Sequence, residues 1–329
     1  MDAATFQALF TRYLTGGQPF LFLLDFEGRA PFLCRTEEAL AHGIAFDVKG
    51  MRNTAPRAVH KPVQLTARPI APADYAARFR NVKEHLDHGN TYLLNLTFPT
   101  PIAVNLGLEE IFHLARAPYK LLWRDRFVVF SPESFIRTSG HEVYTYPMKG
   151  TIDAAAPNAE ATLLANRKEE WEHNTIVDLM RNDLAMLAGD ITVTRYRYVE
   201  RIRTHRGELL QTSSEIRGRL KPGWQSTFCA DLLRMLPAGS ISGAPKQKTL
   251  EIIAANETAP RGYYTGIFGL FNGQDIDSAV CIRFIEQRDG RTWFRSGGGI
   301  TANSVLEDEY RELVQKIYVP VGEGGDSLG

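Results

Sequence analysis

The sequence predicts an α+β fold, a single large body of antiparallel sheets packed as a sandwich with helices on the outer faces. Three observations predict it. Strand-like segments come in runs that helical stretches interrupt without strict alternation, a pattern of antiparallel rather than parallel sheets. Asn272-Gly273 and Ser139-Gly140 are turn signals of the kind that join antiparallel strands. No stretch rich in Pro, Gly or Ser divides the 329 residues. One body is therefore expected: 1–70 as a packing segment, 71–320 as the part that carries the motifs below, and 321–329 as a disordered tail, small and polar from Gly322 on.

Taken in order, the first stretch, to about Gln64, mixes short apolar runs such as Phe20-Leu21-Phe22-Leu23-Leu24 with turn residues and holds no catalytic motif. It reads as packing. Between Pro72 and Gly89, Tyr75, Phe79, Val82 and Leu86 recur at helical spacing, and Gly89 suits the left-handed residue just past a helix end. Strands are expected over 92–98, 127–130, 134–138 and 142–146, which are rich in aromatic and aliphatic residues. From 161 to 188 strong helix formers carry the stripe Ile176, Leu179, Met180, Leu184 and Leu187, which Gly189-Asp190 should end. Strands follow over 191–220, helices over 226–236 and 245–257, and a hairpin over 267–285. Ser304 with Glu307 three residues later forms a capping-box pattern that opens a last helix to Tyr318.

Composition narrows the function. With 38 Lys plus Arg against 38 Asp plus Glu, nothing favours nucleic acid or an anionic membrane surface over a small ligand. Cys34, Cys229 and Cys281 stand at long spacings without a C-x-x-C, which fits a reducing compartment and argues against a disulfide framework or a zinc site. The N-terminus lacks a basic segment followed by an apolar one, and no apolar run approaches the roughly 20 residues needed to span a bilayer. A cytoplasmic, soluble protein is expected.

Certain residues can carry chemistry. Glu169 and Glu172 lie three apart on one expected helix face, Glu309 and Glu312 on another, with Lys316 one turn beyond. Two such faces, if they converge, offer the oxygen-only ligands that suit Mg²⁺, a hard cation that shares its ligands between carboxylates and an anionic substrate. On spacing alone the plainer alternative is a solvated face with an ordinary Glu–Lys pair. Small residues from Gly239 to Lys246, including Ser240 and Gly243, precede a helix, and Gly297-Gly298-Gly299 ends a strand before the last one. Exposed backbone N–H groups at helix starts attract anions. The Gly239–Lys246 stretch is not a P-loop, since Ala244 and Pro245 separate Gly243 from Lys246. Lys149 precedes Gly150 after a strand; a lone lysine is usually a surface charge, but buried beside a carboxylate such as Glu133 its amine could act as a nucleophile.

Together these segments resemble the chorismate-utilising enzymes, a family that includes anthranilate synthase component I, aminodeoxychorismate synthase, and isochorismate and salicylate synthases. The resemblance covers residues 75–318 and is carried, in family order, by Tyr92-Leu93-Leu94-Asn95-Leu96-Thr97, Ser131-Pro132-Glu133, Pro147-Met148-Lys149-Gly150-Thr151, the 176–184 segment, Gly239 to Lys246, Tyr264-Thr265-Gly266, Ile282-Arg283, and Gly297 to Lys316. It implies Mg²⁺ on Glu172 and Glu312 with Glu169 and Glu309 in support, and chorismate carboxylates held by Tyr264, Arg283, Lys316, Thr151, Ser240, Gly243 and the glycines 297–299. It further implies Glu133 as general acid. Lys149, where anthranilate synthases typically carry Ala, resembles the mark of the aminodeoxychorismate synthase branch, which aminates chorismate at carbon 4 through a lysine adduct and serves para-aminobenzoate and folate synthesis. Leu93, near the position of a water-activating Lys in isochorismate synthases, disfavours water addition. Gln211 stands where many members have a His linked to pyruvate elimination. No Cys-His-Glu glutaminase region is found, so a glutaminase partner supplying ammonia is implied. The rival is anthranilate synthase component I, and from another class a scaffold that binds chorismate or the glutaminase without turnover.

Overall fold

The structure is a computed structural model and describes residues 1–204 and 207–321. The tail expected from Gly322 on lies outside the described residues, as do His205 and Arg206 within the expected 191–220 strands. Among the described residues two nine-stranded sheets form, and every strand pairing in them is antiparallel. The α+β sandwich that the sequence predicts is the fold observed.

One sheet runs Met148–Asp153, Gly207–Leu220, Glu142–Thr145, Ser134–Ser139, Ile276–Val280, Ile267–Phe271, Phe20–Leu24, Phe32–Arg35, with Ala188–Thr204 on the outer side of Gly207–Leu220. The other runs Gly243–Ala244, Leu93–Val104, Arg291–Thr301, Phe284–Arg288, Phe127–Ser131, Tyr119–Trp123, Ile44–Val48, Met51–Arg52, with Leu65–Ala67 also pairing Leu93–Val104. Side-chain alternation explains why Phe20–Leu24 is an unbroken apolar run. Leu21 and Leu23 face the space between the sheets, beside Leu121, Val129 and Phe284 of the second sheet. Phe20, Phe22 and Leu24 face the opposite way, into a cluster with Phe6, Phe10, Val177 and Phe228 from helices. A strand covered on both faces needs no polar positions.

The first of those helices, Ala3–Thr15, is a finding the sequence reading passed over. Its signals were present: the Asp2 side chain accepts from Thr5 N–H at 2.8 Å, and Phe6, Phe10 and Leu14 recur every four residues. Over the outer face of the second sheet, Pro72–Asp87, Lys246–Asn256 and Leu306–Gln315 bury Tyr75, Phe79, Ile252, Ile253 and Leu313 against Leu94, Leu96 and Ile300.

Three boundaries are corrected. The single helix expected over 161–188 is two, Ala159–Ala165 and Arg167–Leu184, because Asn166 is extended and its side chain caps the second by accepting from Glu169 N–H at 3.2 Å. Gly189-Asp190 does not end that helix but lies in the strand Ala188–Thr204. Ser304 and Glu307 form no capping box; Val305 precedes the last helix, and the Ser304 hydroxyl donates to Glu309 at 2.7 Å instead. No helix among the described residues is long and apolar enough to cross a membrane.

Candidate active site

Lys149 owes its direction to a break in the ladder. Met148 pairs with Ser213 and Thr151 with Gln211, so Lys149 and Gly150 form a β-bulge, a device that re-aims a side chain. Gly150 has φ +87°, a conformation that suits glycine, and a Cβ there would lie 3.1 Å from a Glu169 carboxylate oxygen. The Thr212 hydroxyl donates to the Lys149 carbonyl and pins the bulge. From it the Lys149 ammonium reaches the helix Arg167–Leu184, where its Nζ lies 2.8 Å from Glu172 Oε2. The carboxylate beside Lys149 is thus Glu172, not Glu133. Burial alone would lower the Lys149 pKa, but Glu172 and Glu312 outweigh it and hold the amine protonated.

The two acidic faces do converge. Glu172 of one face and Glu312 of the other line the same cavity, and Gly298 packs against the second face, where a Cβ on it would come 3.3 Å from Glu309 Oε2 and 3.7 Å from Glu312 Oε1. Glu312 pairs with Lys316 at 2.5 Å, and despite burial Lys316 and Lys149 pull its pKa down. Glu169 and Glu309, by contrast, have raised pKa values, chiefly from burial, with the neighbouring carboxylates adding to it. Glu169 Oε2 is buried without a hydrogen-bond partner. The plainer alternative, a solvated face with a Glu–Lys pair, holds for Glu312, whose side chain is 42% exposed and pairs with Lys316, but not for Glu172 and Glu309, which are withdrawn from solvent.

Two adjoining cavities open along this seam. One, about 300 Å³, is lined by Lys149, Glu172, Glu312, Gly243, Gly298 and Gly299, with Tyr92, Leu93, Met148, Trp171 and Thr175 around them. The other, about 120 Å³, is lined by Glu133, Tyr264, Arg283, Ser296 and Gly297. Asn95, Ser240 and Lys316 line both, so the two are halves of one cleft. Lys316 donates to the Gly297 carbonyl at 2.8 Å while pairing with Glu312, and burial lowers its pKa. Glu133 is pushed up to about 7 by burial, which Arg283 and Lys316 only partly oppose. Tyr264 is pushed up to about 12 by burial.

Some expected residues stand differently. Gly297, Gly298 and Gly299 do not end a strand: they lie within Arg291–Thr301, paired with Thr97, Leu96 and Asn95. The strand Phe284–Arg288 pairs only as far as Arg295, so beyond it the glycines present their other edge to the cleft. Gly239 is not a free anion donor, since its N–H donates to Asp183 at 2.7 Å. Gly243 is required by close approach; a Cβ there would fall 1.8 Å from the Leu93 carbonyl oxygen. Thr151 is exposed and lines neither cavity. Gln211 is buried in the sheet, paired with Thr151 and Glu200, and lines neither cavity. Sequence reasoning missed Asn95, Trp171 and Ser296 as cleft residues; the only signal was their neighbourhood, Asn95 within the Tyr92–Thr97 motif and Trp171 between the two glutamates.

The donor set fits a hard cation. Glu172 and Glu312 line the larger cavity, Glu169 lies against Gly150 with one oxygen lacking a partner, and Glu309 lies against Gly298, all of them oxygen donors of the kind such a cation takes. No three acidic, His or Cys side chains among the described residues form a cage by themselves.

The sequence pattern of the chorismate binding enzymes matches residues 23–322. The chain belongs to this family. An uncharacterised PabA-like protein of Pasteurella multocida is 57% identical over 307 residues, 93% of this chain and 95% of that one. Anthranilate synthase component 1 of Arthrobacter globiformis is 37% identical over 70% of this chain and 42% of its own. Aminodeoxychorismate synthase component 1 of Bacillus subtilis is 28% identical over 77% of this chain and 56% of its own. The menaquinone-specific isochorismate synthase of Escherichia coli shares the fold, with a TM-score of 0.72 over 96% of this chain and 81% of its own at 14% identity. In this chorismate binding enzyme Glu172, Glu312 and the bulged lysine line the same cavity, with Lys149 paired to Glu172.

Proposed function

We propose that this chorismate binding enzyme aminates chorismate at carbon 4, giving 4-amino-4-deoxychorismate, with Lys149 as a covalent nucleophile. The observation that carries the reading is the bulge that aims Lys149 into the carboxylate-lined cavity while Glu133, pushed up to about 7, holds a proton in the adjoining one. The Lys149 nitrogen bonds to carbon 2, both conjugated ring double bonds move one place round the ring, and the bond from carbon 4 to its hydroxyl breaks as Glu133 delivers a proton, releasing water. Ammonia then bonds to carbon 4 and the carbon–lysine bond breaks, so one difficult substitution becomes two easier ones. The ion pair with Glu172 must part first, because a protonated amine cannot attack.

Arg283, Lys316 and Tyr264 suit one carboxylate of the substrate in the smaller cavity. Glu172 and Glu312, backed by Glu169 and Glu309, would hold Mg²⁺ in the larger one, where the cation would offset the charge of the other carboxylate. Cys34 and Cys229 are pushed up to about 12 by burial and Cys281 is raised likewise, so none is a ready thiolate nucleophile. Ammonia therefore comes in this reading from a separate glutaminase partner.

The likeness to anthranilate synthase component 1 of Arthrobacter globiformis supports a second reading, amination at carbon 2 with loss of pyruvate. Mass spectrometry of the product from purified protein, chorismate, Mg²⁺ and ammonium separates them. Aminodeoxychorismate is expected; anthranilate would transfer the case to the second reading.

A further inference from the structure

Asn95 and Ser240 line both halves of the cleft, and the Asn95 carboxamide oxygen and Ser240 hydroxyl are shut off from solvent without a hydrogen-bond partner. Buried polar atoms are nearly always paired, so two unpaired ones shared by both halves of the cleft, with the Ser296 hydroxyl a third in the smaller half, point to a partner that the ligand brings. The main chains that carry the two side chains are tied together. The Arg261 guanidinium, 1% exposed and paired with Glu257 at 2.6 Å, donates to the Asn95 carbonyl at 2.5 Å and to the carbonyl of Ile241, next to Ser240, at 2.9 Å. Glu257 in turn accepts from Thr97 N–H at 2.9 Å, two residues beyond Asn95.

Charged side chains line both halves, with Lys149, Glu172 and Glu312 in the larger, Glu133 and Arg283 in the smaller, and Lys316 bordering the two. A ligand that spans both places its middle over Asn95 and Ser240. The Asn95 oxygen can only accept, so the group it meets must carry an O–H or N–H. We propose that the uncharged pair Asn95 and Ser240, beside Lys316 between the two charged ends, forms a subsite that takes a hydrogen-bond donor at the reacting middle of the bound ligand. This rests on the chorismate reading above, where two such donors are at hand: the ring hydroxyl of chorismate and the incoming ammonia.

The test uses the full chain with Asn95→Leu and, separately, Ser240→Ala. The chorismate dissociation constant is measured by fluorescence titration in Mg²⁺ without ammonia, and then the KM for ammonium at saturating chorismate. A roughly tenfold weakening of chorismate binding with the ammonium KM unchanged assigns the donor to the hydroxyl. A roughly tenfold rise in the ammonium KM with chorismate binding unchanged assigns it to ammonia. Both constants unchanged in both variants overturns the subsite. Ser240→Ala removes a single oxygen and keeps the test decisive if Asn95→Leu does not fold. A wild-type protein that fails to bind chorismate overturns the functional reading and the subsite with it, whereas a wild type that binds no better than the variants overturns the subsite alone.

Discussion

Glu133 and Lys149 are both half-buried, yet their surroundings set them in opposite senses. Around Glu133 the loss of water outweighs Arg283 and Lys316, so the carboxyl keeps its proton to about pH 7. As a general acid it must be protonated, so turnover is expected to fall about tenfold per pH unit above roughly 7, and Glu133→Gln should remove that limb along with most of the activity. A pH–rate profile checks it. The same shift has a stability sign. A carboxyl whose folded pKa is raised favours the fold below its unfolded pKa of 4.5 and loses that contribution as pH climbs through about 7. Glu133→Gln should therefore melt a few degrees higher than wild type at pH 8 and show no such gain at pH 4. Scanning calorimetry at the two values decides. For Lys149 the neighbouring carboxylates outweigh the loss of water, and Lys149→Ala should abolish the chorismate adduct seen by intact-protein mass spectrometry while chorismate binding stays within about threefold. An adduct that survives the substitution would sink the nucleophile role.

At the scale of elements, glycines set how closely the cleft walls approach. Gly243→Ala places a Cβ 1.8 Å from the Leu93 carbonyl at φ +118°, and the short pairing of Gly243–Ala244 with Leu93–Leu94 cannot survive it. A loss of about 3 kcal/mol or more in urea unfolding is expected. Gly298→Ala differs, because its Cβ meets side-chain oxygens of Glu309 and Glu312 rather than backbone. It should unfold at nearly the wild-type urea concentration yet bind chorismate at least about tenfold more weakly in Mg²⁺. Equal affinities would remove Gly298 from the site. The glycine runs were legible in the sequence, but their setting was not: nothing local shows that Gly297 to Gly299 lie inside a strand, since that depends on Leu93–Val104 pairing from about 200 residues away. The two-glutamate faces were legible for the opposite reason, as i,i+3 spacing is a local property of a helix.

Across the whole molecule, the acidic seam is already balanced by Lys149 and Lys316, with Lys168 near Glu172, so the fold does not depend on a bound cation. Chelation by EDTA should then abolish turnover while shifting the melting temperature by less than about 2 °C. A large drop in melting temperature would mean that the carboxylates need metal to coexist. By itself the sequence determined what is local or additive. Apolar periodicity placed the main helices, turn pairs placed the hairpins, and the ordered motifs from Tyr92 to Lys316 placed the chain in its family. Only the tertiary structure decided which carboxylate meets Lys149. Glu133 and Glu172 are 16 and 23 residues from it in sequence, and the bulge that chooses Glu172 exists only because Met148–Asp153 pairs out of register with Gly207–Leu220. It likewise decided that Asn95 and Ser240 share a wall, because Arg261 joins two segments that no local pattern connects. Spacing along a helix is written in neighbouring residues, whereas the partner of a buried charge is set by strand register and close packing across the whole sandwich.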